Sequence, residues 1–424
     1  MEVLVGGLLL VWGGAALRDP GAVRVALGRI RVPVLLFLLA LSWAFLQTLP
    51  LPLIPGHPLW QAASLVLGPL PAPVSLDPGV GRDGALRLAA YGGLFFLALQ
   101  HGRSSRRAER VLMAVAATGS ALALYGLIVH FSGSATILWW DKWAYREVVT
   151  ATFVNRNSYA TFAGLTLLSL AALAWRRYGG LDLRGLLRLL LVDGDRLCWA
   201  LLTGAGLTVL SLLLTGSRAG CGATLAGGTV FVLGLRRFSG LRLAALALCL
   251  AAGVPLLFWL AGGMGDGLET TVRTAGGLGG QGELADRMAL YRATLSAVAA
   301  VPWTGTGLGS FPAVFAMVRP ERFLAVWDNV HDTYLQLVLE SGVIAAGAQS
   351  LAVLLLVRRC LQGVRRRRHD LVFPVLAVAA SVLVGGHALV DFSLEIPAVA
   401  ALYAALLGLG VAQSWRGTDP TGDR

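Results

Sequence analysis

Arginine clusters fall in every second gap between the apolar stretches of this chain. The gaps 18–31, 102–110, 176–196, 236–242 and 358–370 hold 4, 4, 5, 3 and 6 Arg, and with Arg416 and Arg424 they collect 24 of the 35 basic residues. Cytoplasmic loops of membrane proteins carry such an excess, so the alternation orients a chain that crosses a bilayer many times. The apolar stretches approach the length of about 20 residues that a span needs: 2–17, 32–49, 85–101, 111–131, 151–175, 197–215, 219–235, 243–262, 333–357, 371–387 and 397–413. Only 14% of the residues are charged, too few for the surface of a soluble domain of this size. We expect an all-α, polytopic helical membrane protein of about eleven transmembrane helices, a single domain over 1–424. An odd count places the N-terminus outside and the C-terminus in the cytoplasm. The net charge of +12 is then a topology signal rather than a nucleic-acid one, and the run Arg365–Arg368 reads as a juxtamembrane anchor.

Two outer loops are too long to be mere connections. The first, 50–84, is Pro-rich; the second, 263–332, opens on 276-GGLGGQG-282 and carries a helical pattern over about 284–300, ended by Pro302 and 305-GTGLG-309. A shorter outer loop, 132–150, carries Trp139, Trp140 and Trp143, residues that suit a membrane interface. Long loops on a rigid scaffold are where function sits, and these open to one face. Cys198, Cys221, Cys249 and Cys360 lie in or beside apolar stretches and read as packing residues.

Five groups of polar residues could carry chemistry on that face. Arg218, in 214-LTGSRAG-220, sits in a tight turn at the membrane edge. A guanidinium left in hydrocarbon there costs on the order of 2–3 kcal/mol, so it snorkels to headgroups or forms an anion site. Arg287 opens a helical segment in which Arg292 need not share its face, and Asp286 or Glu283 offers it an ordinary surface pair. His331, Tyr334, Leu335 and Val338 follow helical spacing, which puts His331 on a buried face in a first turn, where an imidazole is a natural proton acceptor. His387, Asp391 and Glu395 are four apart and stack if helical, either as a cap for the bundle or with Asp391 orienting His387. Asn155, Arg156, Asn157, Ser158 and Tyr159 cluster where a span begins, either capping it or lining a cavity. No His/Cys cluster or Asp-x-Asp pair on this face has metal-ligand spacing, and the Gly runs do not follow a strand as phosphate cradles do.

Together the segments 75-SLDP-78, 152-TFVNRNSYATFAGL-165, 214-LTGSRAG-220, 287-RMALYRATLSAVAAVPWTGTGLGSF-311, 331-HDTYLQLVLESG-342 and 387-HALVDFSLEIP-397 resemble the O-antigen ligase and polymerase family of bacterial envelope glycan enzymes. The resemblance runs from about Trp43 to Pro397. It implies a bacterial inner-membrane enzyme facing the periplasm, which transfers a glycan from undecaprenyl diphosphate to a hydroxyl acceptor without metal or other cofactor. The acceptor is lipid A-core in the ligases, the growing glycan in the polymerases and a protein Ser in the oligosaccharyltransferase branch. It further implies that Arg218 and Arg287 engage the diphosphate, that His331 is the base or orienting group, and that His387 and Asp391 belong to the site. Arg156, Asn155, Asn157, Tyr159 and Arg292 are the remaining substrate-binding expectations. Two features depart from the family: its ligases are expected to have twelve spans with both ends cytoplasmic, and Asp332 follows His331 where Asn is common. A transporter is the competing class, but the charged residues gather at one face and no internal repeat is visible.

Overall fold

A computed structural model describes residues 1–16, 21, 27–236, 281–320, 323, 327–367 and 370–415. The expected span 243–262 and the glycines 276–280 lie outside them. The described residues are mostly helical, and their strands are one pair of two-residue segments, Thr136–Ile137 and Trp140–Asp141. Five helices are long and apolar enough to cross a membrane: Ser105–Phe131, Arg156–Tyr178, Arg196–Leu213, Arg218–Leu235 and Thr333–Arg366. Glu2–Gly14, Arg31–Leu46, Val372–His387 and Pro397–Ala412 are shorter apolar helices. The expected span 85–101 lies inside the 24-residue helix Pro78–His101.

The Pro-rich stretch 50–84 is less of a loop than its composition predicts. Proline is pre-organised for the first helical turn, where its missing N–H is no loss. Pro78 opens its helix, with the Asp77 carboxylate accepting the Val80 N–H at 3.0 Å. Pro58 opens Pro58–Leu67, with the His57 Nδ1 accepting the Leu59 N–H at 3.2 Å.

Contacts divide the chain into two units. The first comprises Met1–Gly93, Gly262–Leu356 and Ala388–Glu395; the second comprises Leu94–Ala261, Val357–His387 and Ile396–Arg424.

In the second unit the helix Arg156–Tyr178 packs on Ser105–Phe131, Arg196–Leu213, Arg218–Leu235 and Val372–His387. Small residues let these backbones approach, as in membrane bundles generally: a Cβ on Gly227 would stand 3.0 Å from the Ala379 carbonyl oxygen. Cys198 and Cys360 are buried free thiols. At one end of this unit the Glu109 carboxylate accepts from Arg176 Nε at 3.1 Å and pairs with Arg177 Nη2 at 2.6 Å, while Arg176 also meets Asp370. Gln413 donates to the Gly102 carbonyl at 2.6 Å, and Arg367 donates to that of Trp415 at 2.9 Å. Three of the arginine-rich gaps are thereby gathered at one end, joined by the charge pairs that half-buried guanidinium groups need.

The first unit is built around the helix Gln281–Ala300, three residues longer at its start than the expected 284–300, and the short helix Phe311–Val318. Leu290, Ala293, Ala297, Phe311, Phe315 and Leu339 form its core. The stretch 305-GTGLG-309 wraps the start of the helix Thr333–Arg366. Gly309 N–H donates to Glu340 Oε2 at 2.8 Å, Phe311 N–H to Oε1 at 3.3 Å, and Gln336 Nε2 to Oε1 at 3.2 Å. Gln47 Nε2 donates to the Thr304 and Glu340 carbonyls at 2.7 and 2.8 Å. The N–H groups of this Gly-rich turn therefore serve an internal carboxylate. Gly307 holds φ 97°, and a Cβ there would lie 2.2 Å from Ser75 Oγ. Gly307→Ala should lower stability by about 2–4 kcal/mol, combining left-handed strain with overpacking. An unchanged melting temperature for that variant would contradict this packing.

Candidate functional site

The first unit brings Arg287, His331 and Asp391 onto one short piece of chain, residues 388–392. His331 Nδ1 stands 3.6 Å from Asp391 Oδ1, and the Asp391 side chain is only 1% exposed. Ser393 Oγ donates to Asp391 Oδ2 at 2.6 Å. Arg287 Nη1 donates to the Val390 carbonyl at 2.9 Å. Thr333 adds two bonds, its N–H to the Ala388 carbonyl at 2.9 Å and its hydroxyl to the Asp391 carbonyl at 3.1 Å.

His331 does not occupy a first helical turn, as its spacing with Tyr334 predicts. The helix starts at Thr333, and Asp332 caps it by accepting the Leu335 N–H at 3.0 Å. Asp and Asn serve equally as caps, which accounts for Asp332 where the resembling family has Asn. His331 is left just outside the helix at φ 59°, a left-handed conformation that a bulky residue holds only when its surroundings impose it. Those surroundings are visible. Tyr291 Oη donates to the His331 carbonyl at 3.1 Å. Burial pushes the Tyr291 phenol up, keeping it a donor. The imidazole stands edge-on to Trp327 and Phe392, with ring centroids 5.5 and 4.9 Å apart. Two faces of the ring are thus walled by aromatics, and Asp391 approaches Nδ1. At 3.6 Å the pair falls short of a hydrogen bond, and Nδ1 has no hydrogen-bond partner among the described residues.

The grouping of His387, Asp391 and Glu395 on one helical face is corrected by the backbone. The helix Val372–His387 stops at His387, and Ser393–Glu395 is a separate 3₁₀ turn. His387 belongs to the second unit, where it is fully buried and its Nδ1 bonds Thr161 Oγ1 at 2.8 Å. Arg292 is exposed and enters none of these contacts. The side chains of Glu283 and Asp286, possible partners for Arg287 by sequence, lie outside the described residues.

The other expected residues stand in the second unit. Asn155 caps Arg156–Tyr178, its Oδ1 accepting the N–H groups of Asn157 and Ser158 at 2.7 and 3.2 Å. Asn157 Oδ1 accepts from Ser217 Oγ at 2.8 Å. Tyr159 is 1% exposed and bonds Ser211 Oγ at 2.5 Å. Arg156 lies over the Tyr145 ring at 5.5 Å. Arg218 is the first residue of Arg218–Leu235, exposed, behind the cap Ser217. The start of a helix favours anions, so a guanidinium there adds to an anion-attracting field. Asn155, Asn157 and Tyr159 thus use hydrogen-bonding atoms within the bundle, and Arg218 is exposed.

Residues 203–349 match the family model for O-antigen ligase. That match covers about a third of the chain. The O-antigen ligase match includes Arg218, Arg287, His331 and Glu340, and stops before Asp391, the acid that approaches His331. No curated protein matches the chain. The match supports a ligase- or polymerase-type function. Tyr291, Thr333 and Phe392, which hold His331 and Asp391, are not apparent in the sequence, since their partners lie tens of positions away, whereas Ser393 and Trp327 stand within four residues of theirs.

Proposed function

We propose that the protein transfers a glycan from undecaprenyl diphosphate to a hydroxyl acceptor at the periplasmic face of the bacterial inner membrane, as an O-antigen ligase acting on lipid A-core. The observation that carries this reading is the His331–Asp391 pair beside the Arg287 anchor on Val390, with Arg287 and His331 inside the stretch that matches the ligase family model. A sugar diphosphate is already activated. The protein has to place the acceptor oxygen against the anomeric carbon and stabilise charge growing on the leaving diphosphate. In this reading His331, oriented by Asp391, accepts the proton of the acceptor hydroxyl as the new C–O bond forms. Arg287 meets the diphosphate as its bond to the anomeric carbon breaks, and guanidinium groups suit that task through bidentate hydrogen bonds. Arg218 is the proposed anion contact of the second unit.

The test is incubation of the purified protein with an undecaprenyl-linked oligosaccharide and a panel of acceptors. The expected result is glycan on lipid A-core with release of undecaprenyl diphosphate. Extension of the glycan itself would make the protein a polymerase, and modification of a protein Ser an oligosaccharyltransferase. Intact donor with every acceptor would overturn the proposal.

A further inference from the structure

The loop 132–150, within the second unit, takes no part in the reaction proposed above, yet it encloses a cavity lined by cations. Its two strands pair antiparallel, and Leu138 at their turn holds φ 55° while its N–H donates to Tyr125 Oη at 2.6 Å. Lys142 follows the second strand, and its backbone N–H donates to the Ala135 carbonyl at 2.8 Å. Lys142 is only 4% exposed. Its Nζ donates to the Val148 carbonyl at 3.2 Å. An ammonium has three N–H donors, so this bond commits one of them, and no carboxylate pairs with Lys142 among the described residues. An ammonium buried in this way is costly unless it is paired. Burial holds its pKa below the ordinary lysine value.

The cavity beside it measures about 340 Å³ and is lined by His130, Ser134, Lys142, Arg146 and Glu147 among others. That volume suits a headgroup rather than a single small ion. Arg146 is exposed at the wall, and the residue before it, Tyr145, holds φ 54°, strain of the kind stored at functional positions. Trp139, Trp140 and Trp143, on the same loop, are 78%, 68% and 79% exposed, and indoles partition to the headgroup level of a bilayer.

We propose that this cavity binds a phosphomonoester group carried on a lipid. Lys142 and Arg146 hold the phosphate, His130 and Ser134 donate to its remaining oxygens, and the three indoles seat the loop at the lipid surface. Two cationic side chains with two further donors match the three terminal oxygens of a phosphomonoester better than the two of a carboxylate. Glu147 offers an acceptor to a hydroxyl of the headgroup.

The test is calorimetric titration of the full-length protein in detergent with dihexanoyl phosphatidic acid, dihexanoyl phosphatidylcholine and inorganic phosphate. Phosphatidic acid should bind saturably, and about 10-fold more weakly to Lys142→Gln and to Arg146→Gln, each of which loses a charge-assisted contact. Phosphatidylcholine and inorganic phosphate should both bind more weakly than phosphatidic acid. Arg146 is exposed, so Arg146→Gln decides the matter even where the buried Lys142 variant fails to insert. Phosphatidic acid binding unchanged in Arg146→Gln, or phosphatidylcholine binding equally well, overturns the site. Inorganic phosphate binding as tightly as phosphatidic acid overturns the lipid as its source.

Discussion

His331→Ala is expected to lower glycan transfer by roughly 10²–10⁴-fold, the range lost when a positioned acid–base group is removed. The effect should fall on kcat more than on KM, because a proton acceptor acts on the acceptor hydroxyl in the transition state. Asp391→Asn should lower kcat as well, by a smaller factor, since the amide can still touch Nδ1 but no longer stabilises an imidazolium. Arg287→Ala should abolish transfer too, with the protein still inserted. Steady-state rates on purified variants, beside a check of membrane insertion, separate these outcomes. Ordinary turnover by inserted His331→Ala protein would remove the imidazole from the mechanism.

The second large effect is on stability. Glu340 is buried, and its carboxylate receives the Gly309 and Phe311 N–H groups and the Gln336 amide. Glu340→Ala strands those three donors in the interior. An unsatisfied buried donor costs about 1–3 kcal/mol, so a loss of roughly 3 kcal/mol or more is expected from the three together. Glu340→Gln keeps an acceptor oxygen and the volume and should lose less than half as much. Thermal unfolding in detergent, with proteolysis near 305–311 as a local readout, checks the ordering. Equal melting temperatures for wild type and Glu340→Ala would show that this carboxylate does not hold the turn.

The helices were legible because about 20 apolar residues bounded by arginine leave few alternatives, and helical spans satisfy their own backbone. The starts of the helices at Pro58 and Pro78 were not, since the prolines that advertise a loop also open helices. Arg287 stood out as the residue that opens a helical segment, and His331 as an imidazole at the entry of a span beside Asp328 and Asp332. The left-handed backbone of His331 did not, because Tyr291, which bonds its carbonyl, lies forty positions away. Its proximity to Asp391, sixty positions away, had no spacing signal, and periodicity instead grouped Asp391 with His387. Glu340 carried one overlooked sign: an acid inside the apolar run 333–357, downstream of a Gly-rich turn whose N–H groups needed acceptors.

Residues 388–392 receive Arg287 from one helix and His331 and Thr333 from the start of another. A guanidinium, an imidazole and a helix start are therefore registered against a single stretch of five residues. Once the chain has folded, little orientational freedom is left to surrender when a substrate arrives. Lengthening that stretch by one residue would throw all three out of step together, so an insertion there should disturb them at once.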